Sequence, residues 1–319
     1  MGWGKFSFSW HRSASPQTAA TEDAVHHVDK SPLLDSGPPD KTPEKGQGRQ
    51  DTLHILKLPS DSGKPALDIV AIHGLNGHWQ KSWTNRRDTS ELWLRDLLPE
   101  KFPGARIMSF EYDARAVGAI SSAGVREHAD NLIKLLRNER EDNEDKNRPI
   151  VFIGHSLGGI IIKQALKKAS DEGKKNGPGQ ADALDIANST KGLIFFGTPH
   201  RGSNEAEWAE VISGVVSTTM NRPKSELLET LRSNSDELMN ISEDFAPLAP
   251  RYAIASFYEA NVHPVLGRVV VEKASAVMGL PHEETMMLGG DHSSMCKLGR
   301  NDQRWDPVWR AIRRCSRGV

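Results

Sequence analysis

The sequence predicts an α/β fold with a mostly parallel central sheet and helices on both faces. From residue 53 onward, short apolar runs typical of strands alternate with helical patterns, which indicates βαβ units. One of these runs, residues 150–154, ends in a glycine-flanked turn that leads directly into a helical pattern. The chain has 319 residues, which is enough for one α/β domain of about 250 to 270 residues.

The strands and helices are predicted to alternate along the chain. Continuous apolar runs bounded by polar turns predict strands, and apolar residues that recur every three or four positions predict helices. We predict strands at 53–58, 67–73, 106–112, 150–154, 192–196, 251–258 and 269–271. We predict helices at 92–98, 125–141, 157–169, 206–216, 224–245 and 307–314. The segment 171–180, with its lysines and glycines, is predicted to be a surface loop.

Residues 1–50 are predicted to form a disordered leader, and residues 51–319 to form the α/β domain. The leader is rich in Ser, Pro, Gly and Thr and has little to bury. No stretch of the chain approaches the roughly 18 to 20 apolar residues that span a bilayer. We therefore expect a cytoplasmic protein. A mitochondrial location is one alternative, because the first 21 residues contain no acidic residue. Peripheral contact with an intracellular membrane is another, because several aromatic residues lie near the N-terminus.

The charge and the cysteine content argue against several classes of protein. The net charge is −1 and the charged residues are well mixed, so nothing indicates a nucleic-acid partner. Two cysteines, Cys296 and Cys315, are too few for a disulfide framework or a metal site, which fits a reducing compartment. We expect neither a metal nor another cofactor.

The glycine-flanked turn places Ser156 between Gly154 and Gly158, in the pattern G-x-S-x-G. A sharp turn from a strand into a helix strains the backbone of the serine and leaves room only for small neighbours. It also exposes the hydroxyl and directs the first N–H groups of the helix towards the same point. The pattern therefore predicts that Ser156 is a nucleophile and that the Leu157 N–H stabilises an oxyanion.

A serine hydroxyl needs a base, and histidine is the usual one because its pKa lies near neutral pH. In proteins with this kind of turn the chain order is serine, then acid, then histidine. We choose His292, which lies in a glycine-flanked loop before the last predicted helix. His282, in a loop after a proline, is the alternative, whereas His200 comes too early in this order.

The base in turn needs a carboxylate to orient its ring. Glu259 follows the strand predicted at 251–258, the position that such an acid takes in this kind of sheet. Asp291 is next to the predicted base in sequence, and Asp113 also lies at a strand end, so both are alternatives. A second oxyanion donor is expected from the early turn His73-Gly74-Leu75, where we choose the N–H of Leu75 and expect His73 to be structural.

Five motifs occur together in one order: I-H-G-L-N-G-H-W at 72–79, I-M-S-F-E-Y-D at 107–113, G-H-S-L-G-G-I-I-I-K at 154–163, G-L-I-F-F-G-T-P-H-R-G-S at 192–203 and S-F-Y-E at 256–259. In these motifs the chain resembles the lipase-like α/β-hydrolases of the serine-active-site-containing protein family. That family is related to the GPI inositol-deacylases and to hydrolase domains of fungal multidomain proteins. The resemblance covers about residues 53–314. It implies an α/β-hydrolase fold, with Ser156 as nucleophile, His292 as base and Glu259 as acid.

The residues and the resemblance together predict a serine hydrolase of the esterase or lipase type. It would cleave a carboxylic ester or thioester of a lipid-like or small-metabolite substrate through an acyl-enzyme on Ser156. Two alternatives use the same fold. One is an acyltransferase, in which an acceptor replaces water, and the other is a binding or signalling module without turnover.

Overall fold

The structure is a computed structural model that describes Met1 and residues 50–59, 66–114, 122–141, 147–173, 180–202, 205–220, 228–264 and 266–319. All structural statements below concern these residues. The elements belong to the compact unit that spans residues 48–319. The predicted leader lies almost entirely outside the described residues, so its disorder stays a prediction.

A seven-stranded sheet forms the centre of the fold. The strands are β1 (Thr52–Lys57), β2 (Leu67–Ile72), β3 (Ala105–Glu111), β4 (Ile150–His155), β5 (Thr190–Phe196), β6 (Ala253–Glu259) and β7 (Glu284–Leu288). Their spatial order is β1-β3-β2-β4-β5-β6-β7. Only the edge strand β1 is antiparallel to its neighbour, and every other pair is parallel. The predicted class, α/β with a mostly parallel sheet, is confirmed.

Helices cover both faces of this sheet. They are α1 (Trp93–Asp96), α2 (Leu98–Lys101), α3 (Ser122–Glu141), α4 (Leu157–Glu172), α5 (Gln180–Ser189), α6 (Glu205–Met220), α7 (Leu228–Phe245), α8 (Lys273–Ala276) and α9 (Trp305–Cys315). Alternate residues of a strand point to opposite faces, and β2 divides its side chains accordingly. Val70 and Ile72 pack in a core with helices α3 to α7, whereas Ile69 and Ala71 pack in a second core with α1, α2 and α9.

One predicted strand is wrong and one strand was missed. The segment 269–271 contains no strand, since two of its backbone N–H groups bond the Glu259 side chain instead of a neighbouring strand. The last strand is β7, at the edge of the sheet. Its central side chains are largely exposed, Met287 by 58%, so it lacks the apolar run of a buried strand. The other six predicted strands are present within two residues of their predicted ends.

The six predicted helices are present, with several differences. The helix predicted at 92–98 is two short helices, because α1 ends before Leu97 and Pro99 lies in the first turn of α2. Helices α5 and α8 were missed, and α4 continues to Glu172, inside the loop predicted at 171–180. The first residues of the helix predicted at 224–245 lie outside the described residues, and α7 accounts for the rest. No helix in the described part of the chain is long and apolar enough to cross a membrane.

The carboxyl ends of the parallel strands meet at one edge of the sheet, where ligands bind in folds of this kind. β4 ends one residue before Ser156, and β2 ends one residue before His73. Glu259 is the last residue of β6, and His292 lies in the loop after β7. The sheet thus brings residues from distant parts of the sequence to the same edge.

Candidate active site

Ser156 lies in a strained turn between β4 and α4. Its backbone has φ 52° and ψ −122°, a conformation that L-residues rarely adopt. A Cβ on Gly158 would lie 2.2 Å from the Ile72 carbonyl oxygen, and one on Gly154 would lie 2.7 Å from the Cα of Gly159. Only glycine therefore fits at either position, which is the physical reason for the G-x-S-x-G pattern. The structure thus has the sharp strand-to-helix turn that the pattern predicts.

The histidine and glutamate that we chose from the sequence lie next to this serine. Nε2 of His292 is 2.9 Å from Oγ of Ser156, and Nδ1 of His292 is 2.8 Å from Oε1 of Glu259. With the proton on Nδ1, the ring donates to the carboxylate and accepts from the serine hydroxyl. All three residues are buried, with exposed fractions of 5% or less. The three side chains thus form one continuous hydrogen-bonded chain from serine through histidine to carboxylate.

Two backbone N–H groups hold the Glu259 carboxylate in place. Oε2 accepts from Val270 N–H and Oε1 accepts from Val271 N–H, each at 2.9 Å. Oε1 therefore receives both a backbone N–H and the His292 ring. Charge-assisted bonds of this kind are short and directional, so they fix the carboxylate that orients the ring.

The alternative acids and bases occupy other positions. Oδ1 of Asp291 accepts from the backbone N–H groups of Ser293 and Ser294, so this carboxylate shapes the loop that carries His292. His282 makes its ring contact with the Tyr252 carbonyl, 3.2 Å away. Asp113 lies after β3 and is partly exposed.

The two predicted oxyanion donors adjoin the serine. Leu75, Leu157 and Ser156 line the same small cavity. Leu157 is the first residue of α4, so its N–H has no helical carbonyl to bond. Leu75 lies in a tight turn in which Gly77 N–H bonds the Gly74 carbonyl at 3.0 Å. This turn lies close enough to the serine for an N–H to reach a group bound there.

His155 lies in the motif at 154–163 and has no role predicted from the sequence. Its Nε2 lies 2.8 Å from the backbone carbonyl of His292. Burial, and to a smaller extent the nearby His292 ring, lower the pKa of His155 to about 3. The ring is therefore neutral at physiological pH and donates a hydrogen bond from Nε2. His155 thus positions the backbone of the predicted base. The pattern G-x-S-x-G allows any residue at this position, so it gave no signal for this contact.

Two residues from the side of β3, Tyr112 and Glu111, fix the turn at His73-Gly74-Leu75 and the segment that follows it. The Tyr112 hydroxyl donates to the His73 carbonyl at 3.0 Å, and the two rings stack with centroids 4.5 Å apart. Oε2 of Glu111 accepts from Trp79 N–H at 2.5 Å and lies 3.2 Å from Nε2 of His73. In the sequence, the only sign of this contact is a glutamate at the end of a run of residues that otherwise predicts a buried strand.

Within the described residues, no group of three or more His, Cys, Asp or Glu side chains is arranged to hold a metal ion.

The topology of the sheet and the elbow at the end of β4 define the class of protein. A mostly parallel sheet with an antiparallel first strand, and a strained serine between the central strand and its helix, is the α/β-hydrolase fold. The chain is therefore an α/β-hydrolase by fold.

Comparison with known proteins identifies the family. Residues 66–243, more than half of the chain, match the family described as "Putative serine esterase (DUF676)". The chain belongs to this family. The matched region contains Ser156 and ends before Glu259 and His292.

Individual proteins are similar at lower identity. Protein SERAC1 of Danio rerio is 27% identical over 280 residues, which cover 80% of this chain and 40% of the relative. Protein SERAC1 of Homo sapiens is 26% identical over 280 residues, covering 79% and 39%. The chain thus spans about two fifths of the length of these relatives. A solved structure, the lipase BlEst2 of Bacillus licheniformis in mature form, is 15% identical with a TM-score of 0.47, covering 81% of this chain and 98% of that chain.

Proposed function

We propose that the protein is a serine hydrolase that cleaves carboxylic esters or thioesters through an acyl-enzyme on Ser156. The observation that carries this proposal is the chain of two hydrogen bonds from Ser156 through His292 to Glu259, at 2.9 and 2.8 Å. Its position at the carboxyl ends of parallel strands and the membership of a serine esterase family support the same conclusion.

Each group has a role in the proposed reaction. His292 Nε2 takes the proton of the Ser156 hydroxyl as its oxygen attacks the carbonyl carbon, and the N–H groups of Leu75 and Leu157 stabilise the oxyanion. Glu259 stabilises the imidazolium that forms. The imidazolium then gives its proton to the leaving alcohol or thiol, which leaves an acyl group on Ser156. Water, deprotonated by His292, hydrolyses this ester and restores the enzyme.

The surroundings of Ser156 favour an apolar acyl group. The cavity beside the serine is lined by apolar side chains, three of which, Ile212, Val215 and Val216, come from α6. Its volume is about 10 Å³, which is room for about one water molecule. The cavity therefore has to widen to admit an acyl chain, and α6 is the element whose movement would widen it. We infer a lipid-like or other hydrocarbon-bearing ester as substrate.

Hydrolysis of p-nitrophenyl acetate, butyrate and octanoate tests this proposal. We expect turnover by the wild type and a loss of about 10³-fold or more in kcat/KM for Ser156→Ala. Ser170→Ala is a matched control, because Ser170 is also a buried serine but lies near the far end of α4. The proposal is wrong if the folded wild type hydrolyses none of these esters, or if Ser156→Ala hydrolyses them as fast as the wild type does.

A further inference from the structure

A second cavity, separate from the predicted catalytic residues, lies between α4, α6 and α7. Its volume is about 470 Å³, within the range of about 300 to 1,000 Å³ that small-molecule sites occupy. None of Ser156, His292 and Glu259 lines it. Pro199, which lines the small cavity beside Ser156, is next in sequence to His200, which lines this one. The turn that follows β5 thus contributes to the walls of both cavities.

His200 is a buried polar side chain of this cavity without a partner in the described protein. Its exposed fraction is 7%, and neither ring nitrogen has a hydrogen-bond partner. Its ring packs edge-on against Phe195, with centroids 4.7 Å apart. A neutral imidazole carries one donor and one acceptor, and burying both unpaired costs free energy. Native proteins contain few such groups, so a ring of this kind in a cavity wall indicates a ligand group.

Lys163 supplies an amino group to the same wall. The side chain is fully buried, and Nζ donates to the Pro199 carbonyl at 3.1 Å and to Oγ of Ser242 at 3.0 Å. An ammonium has three donors, so one stays available. No carboxylate in the described part of the chain lies within ion-pair distance of this lysine. Burial lowers the pKa of Lys163 well below its ordinary value, and the charge of Glu283 offsets this only in part. A bound anion would favour the protonated form of the lysine.

The rest of the lining separates an apolar interior from a charged rim. Trp208 and Phe245 are buried apolar residues of the wall, and Met278 adds a partly buried one. The other charged residues of the lining, Arg201, Glu207 and Glu243, are exposed to solvent. A ligand that fits this pattern has a small anionic head and a hydrocarbon tail.

We propose that this cavity is a binding site for a fatty carboxylate, whose head lies between Lys163 and His200 and whose chain lies along Trp208 and Phe245. A carboxylate accepts hydrogen bonds from both Lys163 Nζ and a His200 ring N–H, and it matches the charge of the lysine. The apolar wall buries the chain, which the hydrophobic effect favours. Binding at this site requires no catalytic step, so it is independent of the proposed hydrolysis.

Calorimetric titration with sodium decanoate tests the site. The parent protein carries Ser156→Ala, which removes turnover. We expect decanoate to bind this parent, and to bind at least about tenfold more weakly after Lys163→Met, because a hydrogen bond to a charged group is lost. Lys167→Met is the matched control: Lys167 lies one turn further along α4, is partly exposed and pairs with Asp171. The control should bind decanoate as the parent does.

His200→Phe provides a second test that does not depend on the lysine variant folding. In the unliganded protein this change breaks no hydrogen bond with the described residues and keeps the ring against Phe195. A purely structural role of His200 therefore predicts unchanged decanoate affinity, whereas the proposed site predicts a loss of about tenfold. 1-Decanol, which has the same chain without the charge, should bind the parent at least about tenfold more weakly than decanoate.

The proposal is overturned by any of three results. The first is that decanoate does not bind the folded parent protein. The second is that the folded His200→Phe variant binds it as tightly as the parent does. The third is that 1-decanol binds as tightly as decanoate, since the head would then contribute nothing.

Discussion

Replacing Glu259 by Gln removes the charge of the predicted acid while keeping its size. The three hydrogen-bond donors around the carboxylate determine the effect. Oε1 accepts from His292 and Val271, and Oε2 accepts from Val270, so each oxygen faces a donor. An amide has only one acceptor oxygen, and its NH₂ group must face a donor in either orientation. If the NH₂ group faces the ring, His292 has to place its proton on Nε2, where it can no longer accept from Ser156. If it faces Val270, a buried N–H is left unpaired.

The changed proton position on His292 sets the expected loss of activity, and the unpaired N–H sets the expected loss of stability. Loss of the orienting charge and of the productive tautomer lowers kcat/KM by about 10² to 10⁴-fold, which is a loss of about 2.7 to 5.5 kcal/mol of transition-state stabilisation. One unpaired buried N–H lowers the free energy of unfolding by about 1 to 3 kcal/mol. The variant should therefore stay folded at room temperature and still be nearly inactive.

The assay compares kcat/KM on p-nitrophenyl butyrate for Glu259→Gln, Asp291→Asn and Asp113→Asn. Asn at position 291 keeps the Oδ1 acceptor for the loop N–H groups, so we expect activity within about fivefold of the wild type. Urea unfolding of each variant confirms that it is folded. The assignment is refuted if Glu259→Gln stays within about fivefold of the wild type while either aspartate variant loses about 10²-fold.

Other contacts of the protein give further predictions. His155→Phe removes the donor to the His292 carbonyl and should lower kcat/KM by about 10 to 10²-fold; unchanged kinetics contradict this. Because the pKa of His155 is about 3, its ring is deprotonated throughout pH 5 to 9, so it should add no step to the wild-type pH–rate profile there. Gly158→Ala places a Cβ 2.2 Å from a carbonyl oxygen of β2 and should lower the free energy of unfolding in urea by about 3 kcal/mol; an unchanged midpoint contradicts this. Burial raises the pKa of both Cys296 and Cys315 to about 12, so at pH 8 about one thiol in ten thousand is ionised, and Ellman's reagent should react with two thiols only after unfolding.

Local chemistry explains which features the sequence could predict. The Ser156 turn is encoded by glycines that nothing else can replace, and the buried parallel strands are encoded by continuous apolar runs. The ends of these strands then indicate where to search for an acid and a base, because parallel strands end at one edge. Glu259 could be chosen on that ground, and His292 as the histidine of a glycine-flanked loop before the last predicted helix, without knowledge of the contacts between them.

Features that depend on contacts between distant segments could not be predicted in this way. β7 is recognisable only from its pairing with β6, because its own side chains are mostly exposed. The segment 269–271 has the apolar pattern of a strand, yet its N–H groups bond the Glu259 side chain. The pattern G-x-S-x-G leaves His155 unspecified and ends before Lys163, and the partners of both side chains come from elsewhere in the chain.

Covalent labelling with a fluorophosphonate tests the central claim most directly. Such a probe reacts with a serine that a base activates, and the adduct can be located by peptide mass spectrometry. We predict one adduct per chain, on Ser156, in the wild type, and none in Ser156→Ala or His292→Ala. Failure of the folded wild type to react, or labelling that persists in Ser156→Ala at the same rate, contradicts the assignment of Ser156 as an activated nucleophile.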